Sequence, residues 1–367
     1  MTRRTTGRPV RNSTLCRQAV STRPQVEQVD PLHPDHAVIK HAARVLRKRG
    51  LVAFPTETVY GLGALGLDAK AVARIYEAKG RPAWNPVIQH VANAKAAMRL
   101  VHKWTQDAEV LAEAFWPGPL TIVLRKSDKV PDIATAGLDA VAIRVPAHRV
   151  ALDLLREVDA PIAAPSANRF TQLSPTTALH VLESLGDRVD LVLDGGACTV
   201  GIESTVVDLT GETPIVLRPG MVSREQIEQA LGRAVGTQDS RLDVTSDVHS
   251  AARSPGMSVR HYAPRADVWL VHPSDRADVQ EALPALSANG KVAALLIDDA
   301  FASGVQLPPA SMVIRMPQEP AGYAQRIYAA LHEADRSDTS VILIEQPPET
   351  PEWHAIRDRL TRAAAIP

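Results

Sequence analysis

Cysteine is scarce in this chain of 367 residues, which contains two, Cys16 and Cys198. They lie far apart and outside any CxxC spacing, so the sequence supports neither a disulfide framework nor a thiolate metal site. Long hydrophobic runs are also lacking. The longest aliphatic runs, such as residues 292–297, are far shorter than the roughly 20 residues that cross a bilayer. We therefore expect no membrane association and a cytoplasmic location.

The chain has no excess of charge of either sign, because Lys+Arg and Asp+Glu both number 41. This balance disfavours binding of nucleic acid by bulk positive charge, although it leaves a local basic cleft open. Aromatic residues make up only 4%, so stacking platforms for nucleic-acid bases are scarce. The chain is 45% apolar and 22% charged, as is typical of a globular protein, and its length favours two domains.

Two changes in composition indicate where the domains begin and end. Residues 1–30 carry six arginines and no acid before Glu27, and we interpret them as a basic, disordered tail, with a targeting segment as the alternative. Residues 237–264 start with a polar stretch that is typical of a linker, and we interpret them as a linker or lid. A larger domain at 31–236 and a small C-terminal domain at 265–367 remain.

Apolar runs and helical periodicities alternate along both domains. In the larger domain the alternation is too irregular for an all-parallel sheet, so we predict an α/β fold with a mixed, twisted sheet. In the C-terminal domain the order β-α-β-β-α-β-α predicts a small doubly wound, Rossmann-like sheet. The main predicted strands are 51–54, 87–91, 120–125, 140–145, 191–194, 203–209 and 214–217, followed by 267–271, 291–297, 312–315 and 341–345.

Glycines at 61, 63 and 66 match the spacing of a dinucleotide-binding fingerprint. That fingerprint needs its glycines directly after the first strand and an acid about 20 residues further on. Here residues 55–60 intervene, and the second strand ends at His90 without a carboxylate. We therefore interpret the glycines as tight turns and disfavour a NAD-dependent enzyme. No GxxxxGK[ST], GxSxG or HExxH motif occurs, so any nucleotide site must be built from scattered side chains.

Polar side chains cluster where predicted strands end, which is where α/β proteins bind ligands. Taken singly, each is typical of a helix end, a strand end or a Ser/Asn turn. Together, four cations, two Ser/Asn turns and a histidine predict a basic pocket suited to phosphates and a carboxylate. The members are Lys79, Arg81, Asn85, His90, Arg144, Ser166, Asn168, Ser174 and Arg218.

Six segments of the larger domain resemble, in order, the motifs of the YrdC-like family. They are 54–63, 79–82, 115–121, 164–168, 201–205 and 217–220, and the segments 255–257 and 261–264 are similar to the family's longer, two-domain form. The resemblance implies a nucleotidyltransferase that condenses L-threonine, bicarbonate and ATP to threonylcarbamoyl-AMP and pyrophosphate. A downstream tRNA threonylcarbamoyl transferase then modifies the adenosine beside the anticodon. ATP is a substrate, and Mg²⁺ is expected to arrive on its phosphates.

The same resemblance implies the roles of individual residues. Lys79 and Arg81 would act on the phosphates as the catalytic residues, and no protein metal ligands are implied. The positions implied to hold L-threonine are Thr58, His90, Arg144, Ser204 and the backbone of Ala164. The positions implied to hold ATP are Arg81, Asn85, the backbone of Ala140, Ser166, Asn168, Ser174, Arg218 and Tyr262, of which Tyr262 would fold back over the nucleotide.

The implied mechanism consists of positioning and charge neutralisation, because the sequence shows no obvious nucleophile or general base. Glu57 and Glu203 are candidates for orienting neighbouring groups. The alternative is a module of the same fold that binds RNA or nucleotides without this synthesis, and direct contact with tRNA stays open. The C-terminal domain has no catalytic signature, and the position of Tyr262 indicates that it gates the substrate site through the linker.

Overall fold

The computed structural model describes residues 24–237, 261–288, 290–298, 305–336 and 338–365. These residues form one sheet of 11 strands and one of four strands, with helices packed on both. This is the predicted α/β fold with a larger mixed sheet followed by a smaller one. Residues 1–23 of the predicted tail and 238–260 of the predicted linker lie outside the described ranges. No helix in the described ranges is long and apolar enough to cross a membrane.

The larger sheet contains β1 (Gln25–Gln28), β2 (Val52–Phe54), β3 (Gly61–Leu65), β4 (Gln89–His90), β5 (Leu120–Arg125), β6 (Ala140–Arg144), β7 (Ile162–Ala163), β8 (Leu191–Asp194), β9 (Thr205–Asp208), β10 (Ile215–Arg218) and β11 (Gly236–Thr237). The helices of this domain are α1 (His36–Arg47), α2 (Ala69–Lys79), α3 (Ala94–Met98), α4 (Gln106–Phe115), α5 (Asp132–Thr135), α6 (Arg149–Val158), α7 (Ala178–Leu185) and α8 (Arg224–Leu231).

Helix α2 has well-defined ends, and its last residue is Lys79. At its start the Asp68 side chain accepts hydrogen bonds from the N–H groups of Lys70 and Ala71, which satisfies donors that lack partners within the helix. Gly80 ends the helix with a φ of 63°, in the left-handed region where a residue with a Cβ is strained. These ends fix the position at which Lys79 and the following segment leave the helix.

The strand directions bring several predicted site residues to one edge of the larger sheet. Its order is β1-β8-β2-β3-β7-β4-β6-β5-β9-β10-β11. β4 is parallel to β6, β5 is antiparallel to β6 and parallel to β9, and β10 is antiparallel to β9. β4, β6 and β10 therefore run in the same direction and end at the same edge with His90, Arg144 and Arg218. Ser204, directly before β9, lies at this edge as well.

Gly61 and Gly63 lie in strand β3, so the interpretation of these two glycines as tight turns is wrong, whereas Gly66 lies in the turn that follows the strand. β3 is antiparallel to both of its neighbours, β2 and β7. Close packing explains the need for glycine, because a Cβ at Gly63 would lie 2.8 Å from the Phe54 ring and 2.9 Å from the Ile162 side chain. A central strand in place of a strand-to-helix turn also excludes the dinucleotide fingerprint.

Strand β1 lies within the segment that the sequence assigns to the tail. It is the outermost strand of the larger sheet and pairs in parallel with β8. Three of its four residues are polar, and its one apolar residue, Val26, is exposed, so it has no buried apolar face that hydrophobic periodicity could reveal. The tail boundary at residue 30 is therefore wrong over Gln25–Gln28.

The C-terminal domain is a parallel sheet with helices on both faces. Every strand pair is parallel, in the order β12-β15-β13-β14. Ala293 and Leu295 face one apolar core, whereas Val292 and Leu296 face the other, which gives the predicted doubly wound arrangement. The elements are β12 (Asp267–Val271), α9 (Arg276–Ser287), β13 (Lys291–Leu296), β14 (Met312–Arg315), α10 (Pro320–Ala334), β15 (Thr339–Glu345) and α11 (His354–Ala364).

The two domains share an apolar core. One cluster of buried side chains combines Val59 and Ile202 of the larger domain with Tyr323 and Ile356 of the C-terminal domain. Tyr262, at the end of the predicted linker, belongs to the same cluster. The C-terminal domain therefore packs directly against the loops that precede β3 and β9.

Candidate active site

A small cavity lies where the ends of β4, β6 and β10 meet the loops that follow β2 and β7. Its free volume is about 50 Å³, room for a few water molecules and far below the roughly 300–1,000 Å³ typical of ligand pockets. The lining residues are Thr56, Thr58, Val59, Gly61, Arg81, Ile88, His90, Arg144, Ala164, Pro165, Ser166, Glu203, Ser204, Arg218, His261 and Tyr262.

Arg144 is the cation on one side of the cavity. It donates hydrogen bonds from Nη1 to Thr58 Oγ1 (2.9 Å) and from Nε to the Gly118 carbonyl (3.2 Å), and its Nη2 lies 2.7 Å from Glu57 Oε1. His90 stands opposite Arg144 in the register of β4 and β6. Burial and the neighbouring guanidinium lower the pKa of His90 to about 3, so this imidazole is neutral at pH 7. A buried cation with a hydroxyl beside it suits a carboxylate.

Arg81 and Arg218 are further cations in the wall of the cavity. Arg218 donates from Nε and Nη2 to the Ser204 carbonyl (3.1 and 3.0 Å) and from Nη2 to Ser204 Oγ (3.2 Å). Arg81 donates two hydrogen bonds to Asn85, from Nη2 to Oδ1 (2.6 Å) and from Nε to the main-chain carbonyl (3.0 Å). Burial lowers the pKa of Arg81 to about 10 and also lowers that of Arg218. Both side chains keep their charge at pH 7, because arginine is not deprotonated in proteins. Two guanidinium groups in the wall of one cavity suit an anion.

Lys79 does not line the cavity, which corrects the expectation that its ammonium faces the phosphates. Its Nζ donates to the main-chain carbonyls of Ser166 (2.6 Å) and Asn168. Burial, together with the charge of Arg81, lowers the pKa of Lys79 well below its usual value. In this structure Lys79 therefore holds the loop after β7 in place.

Asn168 and Ser174, both predicted to contact ATP, make hydrogen bonds to the protein and do not line the cavity. The Nδ2 of Asn168 donates to the Gln172 carbonyl (2.7 Å). The Ser174 hydroxyl donates to the Glu203 carboxylate. Both residues therefore support the wall from behind, whereas Ala164, Pro165 and Ser166 of the same loop line the cavity.

Asn85 and Ala140 also lie outside the cavity wall. Asn85 supports Arg81, and its Nδ2 is buried without a hydrogen-bond partner among the described residues. Ala140 begins β6, at the opposite end of the strand from Arg144, and lines a second pocket together with Pro86. Arg81 also donates to the carbonyl of Pro86 (2.7 Å), so this arginine contacts a residue that lines the second pocket.

His261 and Tyr262 close the cavity from the end of the linker. Tyr262 has a φ of 60° and is 1% exposed. The next residue, Ala263, donates its N–H to the Thr171 carbonyl (3.0 Å), and the His261 ring lies 5.7 Å from that of Phe170. Burial and the nearby cations lower the pKa of His261 well below its usual value. With both rings in place the cavity, at about 50 Å³, is too small for a nucleotide.

Tyr328 and Arg359, from the C-terminal domain, are missing from the sequence-based site. The Tyr328 hydroxyl donates to Glu203 Oε2 (3.0 Å), and Arg359 Nε donates to the same oxygen (2.8 Å). The available signal was an arginine at helical spacing between Ile356 and Ala363 on the buried face of α11. That pattern indicates burial but gives no indication of what the arginine contacts.

Comparison with known proteins agrees with the two-domain fold. The Sua5/YciO/YrdC family model, described as telomere recombination, matches residues 44–220. The model described as the threonylcarbamoyl-AMP synthase C-terminal domain matches residues 222–365. Together the two models account for both domains.

Relatives extend over nearly the whole chain. The threonylcarbamoyl-AMP synthase of Pyrococcus abyssi is 42% identical over 329 residues, which are 89% of this chain and 94% of the relative. That of Bacillus subtilis is 39% identical over 340 residues, covering 92% and 96%. The crystal structure of P. abyssi Sua5 complexed with L-threonine superposes with a TM-score of 0.83 at 40% identity, covering 92% of this chain and 97% of that one.

The fold and the cavity define a two-domain α/β enzyme of the YrdC-like type, with buried arginines around its site. The chain belongs to the threonylcarbamoyl-AMP synthase family, in its two-domain form. It is accordingly an adenylate-forming enzyme of the nucleotidyltransferase type.

Proposed function

We propose that this protein condenses L-threonine, bicarbonate and ATP to threonylcarbamoyl-AMP and pyrophosphate, as the first step of N6-threonylcarbamoyladenosine formation in tRNA. The observation that carries the proposal is the distribution of charge around the cavity. Arg144 donates to Thr58 and lies opposite His90 in the sheet. Arg218 ends β10, which β5 and β9 separate from β6, and its charge acts on Arg81. A carboxylate and a polyphosphate can therefore be bound at the same time without competing for one cation.

The Arg144 side is proposed to bind L-threonine. The guanidinium pairs with the substrate carboxylate, while Thr58 and Ser204 offer hydroxyl groups to its polar atoms. His90 is neutral at pH 7 because of its lowered pKa, so it adds no charge that would repel the substrate's amine. The main chain at Ala164, which lines the same wall, completes this half.

The Arg81 and Arg218 side is proposed to bind ATP. Ser166 lines the same cavity, and the pocket lined by Ala140 and by Pro86, whose carbonyl accepts a hydrogen bond from Arg81, gives room for the nucleoside. Lys79, Asn85, Asn168 and Ser174 support this half by fixing the loops around it. Mg²⁺ is proposed to enter on the triphosphate, whose oxygens it prefers as ligands.

Catalysis follows from positioning and charge neutralisation. The amine nitrogen of threonine bonds to the carbon of bicarbonate with loss of water, which gives a carbamate. A carbamate oxygen attacks the α-phosphorus, and the bond to the β-phosphate oxygen breaks as pyrophosphate leaves. Arg81 and Arg218 are already oriented by Asn85 and Ser204, so they stabilise the developing charge without reorganising.

The linker end is proposed to act as a lid. Tyr262 and His261 occupy the space beside the anion site, so ATP must displace them and they can close again over the nucleotide. Exclusion of water would protect the product, a reactive mixed anhydride. A downstream transferase is proposed to receive it and pass the threonylcarbamoyl group to tRNA.

The proposal is tested by measuring pyrophosphate release from ATP and bicarbonate, with and without L-threonine, with mass spectrometry for the AMP adduct. We expect release that requires both threonine and bicarbonate. Release that does not require threonine would indicate a plain ATPase. If nothing is released while ATP or RNA still binds, the chain is a binding module and the proposal is wrong.

A further inference from the structure

Arg359 is a fully buried arginine that the C-terminal domain places against three segments of the catalytic half. Its side chain is 0% exposed. Nε donates to Glu203 Oε2 (2.8 Å), Nη2 donates to the Pro219 carbonyl (2.9 Å), and the guanidinium lies over the Tyr262 ring, 5.2 Å from its centre. The carboxylate of Asp358, the preceding residue on α11, lies 2.6 Å from Nη1 of Arg359 and balances its charge.

Each of these three contacts is made next to a group of the proposed site. Glu203 lines the cavity and precedes Ser204. Pro219 follows Arg218, the arginine proposed to bind ATP. Tyr262 belongs to the proposed lid. The Arg359 side chain therefore contacts Glu203 in the cavity wall, the residue that follows Arg218, and the Tyr262 ring of the proposed lid.

The C-terminal domain supplies two hydrogen-bond donors to the Glu203 carboxylate. Tyr328 on α10 and Arg359 on α11 both donate to it, and Ser174 is its donor from the larger domain. The loop that carries it packs tightly on α10, since a Cβ at Gly201 would lie 2.4 Å from the Ala324 carbonyl. The orientation of this carboxylate thus depends on the docking of the second domain.

Arg359 and Arg218 act on the same carboxylate. Burial alone would raise the pKa of Glu203, but the two guanidinium groups lower it below its usual value. The Glu203 carboxylate is therefore ionised at pH 7. If Arg359 were removed, Glu203 would be drawn more strongly towards Arg218 and would compete with the phosphates for it.

We infer that Arg359 is a positioning residue for ATP binding, which holds Glu203 and Tyr262 in place and thereby makes the site depend on the docked C-terminal domain. The inference rests on the proposed function. It predicts an effect on ATP rather than threonine, because Arg359 touches the segments of Arg218 and Tyr262 and contacts none of Thr58, His90 and Arg144.

The test compares the steady-state kinetics of Arg359→Met, Arg359→Lys, Glu203→Gln and the double variant Arg359→Met/Glu203→Gln. Arg326→Met is the matched control, because Arg326 forms an exposed ion pair with Glu333 on the same domain. Thermal unfolding is measured for every variant. We expect Arg359→Met to raise the KM for ATP about tenfold or more and to change the KM for threonine much less.

A purely structural role gives a different pattern, because loss of folded enzyme lowers the apparent kcat and leaves both KM values unchanged. Arg359→Lys, which keeps a cation, should restore part of the ATP affinity. The double variant should bind ATP better than Arg359→Met alone, because it removes the unpaired carboxylate. An unchanged KM for ATP in Arg359→Met would overturn the inference, and so would strictly additive effects in the double variant.

The test also covers two cases in which the KM for ATP of Arg359→Met cannot be measured. If Arg359→Met does not fold, the same criterion is applied to Arg359→Lys and the double variant. If the wild-type protein makes no threonylcarbamoyl-AMP, the proposed function fails, and ATP binding is then measured by calorimetry. A tenfold weaker affinity in Arg359→Met supports the positioning role in that case, whereas equal affinity overturns it.

Discussion

Arg144 and Glu57 form a buried ion pair beside the cavity, with 2.7 Å between Nη2 and Oε1 and neither side chain more than 7% exposed. Because Arg144 also donates to Thr58 and to the Gly118 carbonyl, its guanidinium is oriented before any substrate arrives. A charge fixed in this way can bind a carboxylate at little further cost in side-chain entropy.

Arg144→Ala and Arg218→Ala are expected to separate the two substrates. A hydrogen bond to a charged group contributes about 1.5–3 kcal/mol, which corresponds to a rise of roughly 10- to 100-fold in the KM of the substrate that loses it. We expect this rise for threonine in Arg144→Ala and for ATP in Arg218→Ala. Arg156→Ala, at an exposed arginine that pairs with Asp153 away from both pockets, is the control. Equal loss for both substrates in both variants would contradict the assignment.

Lys79→Met is expected to damage the loop after β7 rather than only the binding of phosphate. The change leaves the buried carbonyls of Ser166 and Asn168 without their donor, and each unsatisfied group costs about 1–3 kcal/mol. Thermal unfolding should therefore occur at a lower temperature, and activity should fall with it. A variant as stable as the wild type, with only the KM for ATP raised, would indicate that Lys79 contacts the phosphates, as predicted from the sequence.

Tyr262→Phe and Tyr262→Ala should differ sharply. The hydroxyl of Tyr262 is buried without a hydrogen-bond partner among the described residues, so its removal should leave activity nearly unchanged and raise stability slightly. Tyr262→Ala removes the ring that closes the cavity, and threonylcarbamoyl-AMP should then be lost by hydrolysis more quickly. Mass spectrometry of the adduct over time measures this. A Tyr262→Ala enzyme that retains its adduct like the wild type would contradict the lid.

The residues at strand ends could be predicted from sequence because an apolar run followed by a charge marks the end of a strand. Arg144 and Arg218 were predicted in this way, and both lie in the cavity. The orientation of Lys79 could not be predicted, since its partner Ser166 lies 87 residues away and a cation is in any case common at the end of a helix.

Long-range packing also explains the parts of the fold that the sequence did not reveal. Strand β3 contains glycines that only Phe54 and Ile162, on neighbouring strands, make necessary. Glu203 meets Arg359 across the domain interface, 156 residues apart. Local periodicity carries no information on such pairs, so the contribution of the C-terminal domain became visible only in three dimensions.

Stability is expected to fall as the pH drops below about 6.5. Burial, with the charge of Arg144, lowers the pKa of His90 to about 3, and burial beside His332 does the same for His180. Between these values and about 6.5 the unfolded chain binds a proton at each histidine that the folded protein does not. Stability is therefore fully present above pH 6.5, and each histidine removes up to about 1.4 kcal/mol per pH unit below it.

His180→Gln isolates one of these protons, because His180 stacks on His332 at the domain interface, with ring centres 3.8 Å apart, away from the cavity. The free energy of unfolding is measured between pH 5 and 7, above the range in which most carboxylates titrate. The variant should lose less stability over this range than the wild type. His33→Gln, at a side chain that is 87% exposed, should behave like the wild type. An identical pH dependence for His180→Gln and the wild type would show that burial of this imidazole does not destabilise the protein in acid.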